Sequence, residues 1–166
     1  LDSTLFNQGQ KPAIDIGRSV SRVGGTAQKP AMRELVGTLK LDLSQYKEVA
    51  HFTRFGTEVD KATFHQIERG TRILDTFKQG PHKPMPYPIM IVVLYAINKG
   101  FLDQIPTSEI PAFQEALSDY FTRKESKLLS DIQKEDHLND SIVQDLEDTL
   151  ITFIEFWLKE KGIAIV

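Results

Sequence analysis

Residues 89–98 read Ile-Met-Ile-Val-Val-Leu-Tyr-Ala-Ile-Asn, apolar on nearly every side of a helical wheel. A helix without a polar face has to be enclosed by other protein. The apolar run, Ile89 to Ile97, is much shorter than the roughly 20 residues that span a bilayer. The segment therefore reads as the central helix of a bundle, and the rest of the sequence has to supply its walls.

Those walls are visible as helical periodicity. Met32, Leu35, Val36, Leu39, Leu43, Tyr46 and Val49 recur at spacings of three and four and form one apolar stripe. Pro30 suits the first turn of that helix, where its missing N–H has no bond to lose. Gly56 breaks the pattern. A second helix is expected from about Asp60 to Phe77, with Ala62, Ile67, Ile73, Leu74 and Phe77 facing inward. Gly80 to Pro88 is a proline-dense connector that withholds backbone donors and resists helix. Lys99-Gly100 ends the central helix. Two further helices are expected over roughly Pro111–Gln133 and Ser141–Lys161. Ser141 and Gln144 form a capping-box pattern, and Ile142, Leu146, Leu150, Ile154 and Trp157 line the buried face of the last helix.

The first 30 residues differ in character, being rich in Gly, Ser and Pro with one β-like stretch, Ala13 to Ile16. That stretch runs into a Ser19-Val20-Ser21-Arg22 step and a loop carrying Gly24 and Gly25. The expected architecture is mainly α: an antiparallel helical bundle over 31–166, with an incomplete α/β remnant over 1–30. The chain starts at Leu1 and looks at once like the inside of a domain. It is expected to be a piece of a longer polypeptide, whose early strand has left its sheet neighbours behind.

Composition narrows the chemistry. At 166 residues and 40% hydrophobic content the chain has material for a real core. Its net charge of −3 leaves no global basic field for nucleic acid, and the Arg123, Lys124 and Lys127 cluster is too short for such a patch. There is no cysteine, so disulfides and thiolate metal sites are excluded. His51, His65, His82 and His137 show no metal-ligand spacing. No G-x-x-x-x-G-K-[ST] phosphate loop and no G-x-S-x-G nucleophile motif occurs. Asp131, Glu135, Asp136, Asp140, Asp145 and Glu147 flank helix ends and read as a solvated face.

The run Pro12-Ala13-Ile14-Asp15-Ile16-Gly17-Arg18-Ser19-Val20-Ser21-Arg22-Val23-Gly24-Gly25-Thr26-Ala27-Gln28 strongly resembles a segment of the F-type ATP synthase α-subunit family. Further blocks follow in the same order. They include Leu39 to Val49, Phe55 to Thr63, Arg69-Gly70, Lys78-Gln79 and Gly100-Phe101-Leu102-Asp103. The resemblance extends from about Leu5 to Ile105. The tail from Ile110 to Val166 shares mainly its helical character.

The resemblance implies a parent subunit of three domains. Residues 1–30 would be the edge of its P-loop nucleotide-binding domain and 31–166 its C-terminal helical domain. The parent would be a non-catalytic, regulatory subunit that binds ATP or ADP with Mg²⁺, although no ligand is expected on this piece alone. Its partners would be the catalytic β-subunit, in an alternating hexamer, and the γ-subunit of the central shaft. The complex would couple ion translocation to ATP synthesis. It would sit peripherally on the cytoplasmic face of a bacterial inner membrane, or on the matrix or stromal side in an organelle, with no direct membrane insertion and no nucleic acid.

In that setting Arg22 would be an arginine finger reaching the γ-phosphate held by the β-subunit. The other reading of Arg22 is an ordinary surface or salt-bridged arginine. Phe6, Lys11 and Pro12 match family positions near the adenine, and Gln79 matches a glutamine lining the base pocket; packing and a solvated loop are the alternatives. Lys11 departs from the family's usual arginine, and Pro81 stands where a second glutamine is common. Glu58 and Asp60 are expected either to touch the shaft or to be solvated acids near a helix N-terminus. Two other functional classes compete: a free-standing helical protein–protein interaction module, and a different hexameric P-loop ATPase relative.

Overall fold

The computed structural model describes residues 1–16, 19, 21–53 and 60–163, without the side chains of Arg22 and 51–53. In sequence order its helices are α1 (Ser3–Asn7), α2 (Arg22–Ala27), α3 (Pro30–Thr53), α4 (Lys61–Thr76), α5 (Tyr87–Asn98), α6 (Ile110–Lys124), α7 (Ser126–Lys134) and α8 (Asp140–Lys161). A short 3₁₀ turn, Thr107–Glu109, leads into α6.

The all-apolar run is α5, and it is the centre of the core. From Ile89 to Ile97 every residue except Met90 is buried. Helices α3, α6 and α7 pack against it, α4 packs on α3, and α8 covers α6 and α7. The α3 stripe faces inward, with Leu35, Leu39 and Leu43 buried and Met32, Val36, Tyr46 and Val49 half-buried. On α8 the expected face is buried throughout: Ile142, Leu146, Leu150, Ile154 and Trp157. Each full burial of such a side chain is worth about 1.5–3 kcal/mol, so these stripes fix which face of each helix turns to the centre.

Helix ends follow local chemistry. The Asp60 carboxylate accepts from the Thr63 N–H at 2.7 Å, starting α4. That bond holds its carboxyl below the usual 3.8. Lys99 caps α5, and Gly100 follows at φ +77, where a Cβ would stand 2.9 Å from an Asp103 carboxylate oxygen. Helices α3 and α4 cross closely at Gly70: a Cβ there would lie 2.2–2.4 Å from Tyr46 side-chain atoms.

Several expectations are corrected. Among the described residues there is no strand, and so no β remnant. Ala13 to Ile16 instead docks on the helices as an irregular segment, with Ala13 buried and Ile16 packed against the core. A strand needs an extended neighbour to receive its backbone bonds, and none lies alongside among the described residues. The Ala13 carbonyl accepts from Asp2 N–H, and the Lys11 carbonyl from Gln79 N–H. Gly24 and Gly25 lie within α2 rather than in a loop. The single helix expected over Pro111–Gln133 is two, turned at Glu125 (φ −116, ψ 35) so that Leu128 and Ile132 of α7 are buried in the core. Ala62 is exposed rather than inward.

Asn139, not Ser141, caps α8; its side-chain oxygen accepts from Ile142 N–H at 2.9 Å. Gln144 turns away and donates to Asp148 instead of reaching back. Glu147 is not a merely solvated acid. It accepts from the Tyr95 hydroxyl at 2.5 Å and pairs with Lys99 at 3.1 Å, tying α8 to the end of α5.

The Tyr95 and Lys99 hydrogen bonds hold the Glu147 carboxyl below the usual 4.5. A depressed folded value means that Glu147 contributes stability at neutral pH. That contribution is lost as pH falls through the folded value. Glu147→Gln should therefore lower stability at neutral pH, and its difference from wild type should shrink steadily below about pH 4.5. Urea midpoints measured across that range check this; a pH-independent difference contradicts it.

Candidate functional site

Two groups of residues carry the functional expectations; both draw on the first 33 residues, and Gln79 joins the first from farther along the chain. The first begins with α1. Asp2 caps it by accepting from Thr4 N–H at 2.8 Å and Leu5 N–H at 3.1 Å. These bonds hold its carboxyl below the usual 3.8, the Leu5 bond contributing most. Phe6 on α1 keeps an exposed ring, 56% accessible. After Gly9 (φ +81) the backbone reverses, Gln10 is buried, and the Lys11–Pro12 peptide bond is cis.

Lys11 holds the group together. Its ammonium sits 5.1 Å from the centroid of the Phe6 ring, within cation–π range. Its carbonyl accepts from Gln79 N–H at 2.8 Å, so two segments far apart in sequence meet here. The Gln79 side chain donates to the Lys83 carbonyl at 2.8 Å, which ties it to the proline-dense connector. Lys11 therefore touches both Phe6, through its ammonium, and Gln79, through its carbonyl, with Pro12 next to it in sequence.

The second group is α2. Ser21 caps it, its hydroxyl oxygen accepting from Gly24 N–H at 2.8 Å. A Cβ on Gly24 would stand 2.8 Å from that same oxygen, so any side chain there would press on the cap. Arg22 is the first helical residue. Its side chain lies outside the described residues, as do Gly17, Arg18 and Val20 of the same run. Arg33 joins this group without any signal in the sequence. It donates through Nε to the Gly25 carbonyl at 2.9 Å, and through Nη2 to those of Thr26 at 3.4 Å and Gln28 at 3.2 Å. Backbone carbonyls carry no residue signature, so no pattern of side chains announces such a contact.

A third cluster is structural. Arg69 pairs with Asp42 at 2.9 Å and lies 3.9 Å from Asp103, while donating to the Asn98 carbonyl at 3.4 Å. The separate blocks around Asp42, Arg69 and Asp103 therefore converge on one guanidinium. Of the two acids expected near the shaft, Asp60 serves as the α4 cap and Glu58 lies outside the described residues. The side chain of His51 also lies outside them. Among the described residues no three His, Cys, Asp or Glu side chains are placed to hold a metal ion. Nor is any helix there long and apolar enough to cross a membrane.

Residues 28–153 match the family described as ATP synthase alpha/beta chain, C terminal domain. The sequence is 46% identical over 153 residues to ATP synthase subunit alpha of Streptococcus uberis, covering 92% of this chain and 30% of that protein. Against the same subunit of Streptococcus agalactiae it is 49% identical over 133 residues, 80% of this chain and 26% of the relative. Against that of Streptococcus pyogenes it is 52% identical over 121 residues, 73% and 24%. The chain spans between a quarter and a third of the length of these curated relatives.

Proposed function

The protein belongs to the family of ATP synthase alpha/beta C-terminal domains, as the C-terminal region of an alpha subunit, and from that membership we propose that it serves the non-catalytic subunit of an F-type ATP synthase. In this reading the parent subunit alternates with catalytic β-subunits around a central γ shaft. The complex couples ion translocation to ATP synthesis and hydrolysis, peripherally at the membrane. The observation that carries it is the 46% identity maintained over 92% of the chain.

Residues 1–30 then form the edge of the nucleotide-binding domain, and 31–166 the helical domain. The nucleotide bound to the β-subunit would supply the phosphoryl group, and its magnesium would neutralise charge on the phosphates. Arg22 acts from the far side of the α/β interface. Phosphoryl transfer spreads negative charge over the equatorial oxygens, and a planar, permanently charged guanidinium meets it at two points. The α2 position suits that task, since the arginine opens a short capped helix beside two glycines that add no side-chain bulk.

In this reading Phe6, Lys11, Pro12 and Gln79, which match family positions near the adenine, contribute to the subunit's own nucleotide site at the base. A planar base stacks on the exposed Phe6 ring and accepts hydrogen bonds from donors such as the Gln79 amide and Lys11 ammonium. Their match to the base comes from the resemblance to the α-subunit family, and the given sequence carries no phosphate loop.

Two measurements test the proposal. The 166-residue chain alone should show no ATP turnover, because it holds neither a phosphate cradle nor a complete catalytic site. Sustained hydrolysis by a contaminant-free sample contradicts this. The full-length subunit, mixed with its β and γ partners, should give a native mass corresponding to an alternating hexamer with one shaft. Failure to enter any such assembly overturns the proposal.

A further inference from the structure

We infer that Arg33 is a positioning residue for Arg22, clamping the far end of helix α2 to the bundle. The inference rests on the reading of Arg22 as the arginine finger. Helix α2 has six residues, two of them glycine. A free helix that short does not hold itself together in water, and its glycines loosen it further. Its last carbonyls also lack intrahelical partners. The Arg33 guanidinium satisfies those of Gly25 and Thr26 and the following one of Gln28. A cation is also favoured at that end of the helix by its dipole.

Arg33 can act as a clamp because its own base is fixed. It lies in the first turns of α3, between the buried residues Ala31 and Leu35. That turn is tied to the end of α7 and the connector after it: the Lys29 ammonium donates to the Gln133 carbonyl of α7 at 2.7 Å, and Ala31 N–H to the Asp136 carbonyl of the connector at 2.9 Å. The connection thus runs from the core through α3 and Arg33 to the end of α2. A helix of six residues is about 9 Å long, and Arg22 stands at its opposite end, beside the Ser21 cap. Loosening the clamp lets the capped end swing, and with it the backbone from which the finger extends. Misplacing a reacting group by about 1 Å costs up to about a hundredfold in rate. Lysine at 33 keeps the charge, but its single ammonium cannot replace a fork whose Nε and Nη2 engage three carbonyls.

The test uses the full-length subunit assembled with β and γ. Steady-state kcat and KM for MgATP and the native mass are read for Arg33→Met, Arg33→Lys, Arg22→Lys and the double variant Arg22→Lys/Arg33→Met. Arg33→Met should assemble and keep its KM while kcat falls about tenfold to a hundredfold. Arg33→Lys should fall between it and wild type. The double variant should be no slower than Arg22→Lys alone, because the clamp acts only through the finger. Wild-type kcat in Arg33→Met, or losses that multiply in the double variant, overturn the inference while leaving the finger in place. Wild-type kcat in Arg22→Lys removes the finger itself, and the inference with it. Should Arg33→Met not assemble, Arg33→Lys is read in its place. Failure of both to assemble makes Arg33 a folding residue and likewise overturns the inference.

Discussion

Arg22→Lys, in the full-length subunit assembled with its β and γ partners, is expected to cut cooperative multisite ATP hydrolysis by at least about a hundredfold. Lysine retains the positive charge but offers one compact ammonium where arginine offers a planar fork. The lost interaction is one made mainly in the transition state, as charge develops on the transferred phosphoryl group. The loss should therefore appear in the rate constant and much less in ground-state nucleotide affinity. Assembly should survive, because Arg22 is a single residue at the start of a short helix and α3 to α8 form the core without it. Single-turnover and steady-state hydrolysis, read beside the native mass, separate these effects. A variant that assembles and turns over at the wild-type rate refutes the assignment of Arg22.

The second large effect concerns the fold. Phe113→Ala should destabilise the protein by about 3–5 kcal/mol. The Phe113 ring is fully buried in α6, 5.5 Å from the Phe153 ring and 5.2 Å from the Trp157 ring, the latter edge-on. Its removal forfeits the burial energy, leaves a cavity, and breaks aromatic pairs worth about 0.5–1.5 kcal/mol each beyond their area. Set against a typical domain stability of about 5–15 kcal/mol, that is a large share. Phe156→Ala makes the control: one residue before Trp157, its side chain is 62% exposed, and the cost should stay within about 0.5 kcal/mol. Urea midpoints of both variants check the contrast. Equal midpoints would mean that α6 and α8 do not share one core.

The Phe113 result also bears on the tail. From Ile110 onward the sequence is expected to share mainly its helical character with the α-subunit family, but the family match runs on to residue 153 and one hydrophobic cluster includes residues from Ala31 to Leu158. Two features make the bundle readable from residues alone. Periodicity is local, so a stripe at spacings of three and four selects a helix and its buried face together. A run with no polar side, 89–97, has only one place to go. The stripe on α3 and the face on α8 are buried or half-buried as that logic requires.

The departures from expectation share a cause as well. Ala13 to Ile16 has the apolar content of a strand, but a strand is completed by a neighbour, and that neighbour is no part of the local sequence. Nothing between Arg123 and Ser126 is a glycine or proline. The turn at Glu125 exists because α7 has to come back against α5. Asn139 stands close to the Ser141–Gln144 capping-box pattern, and Asn and Ser are both good N-caps, so residue type alone does not choose between them. Of the candidate site, Phe6, Lys11 and Pro12 are legible as neighbours in sequence. Their junction with Gln79 is not, being a single backbone hydrogen bond.

Residue order alone is enough for the helical class, the central helix, the inward faces of α3 and α8, and membership of the family through blocks that stand in sequence. These depend on residue type at short spacing, or on identity, and neither requires knowing what lies across the core. Three-dimensional packing was needed to settle where helices turn, which acids are solvated and which are paired, and what holds α2. Glu147 meets Tyr95 across 52 residues, and Arg33 grips carbonyls that every residue possesses. Such contacts arise when packing brings distant backbone and side chains within bonding distance, and no local pattern encodes them.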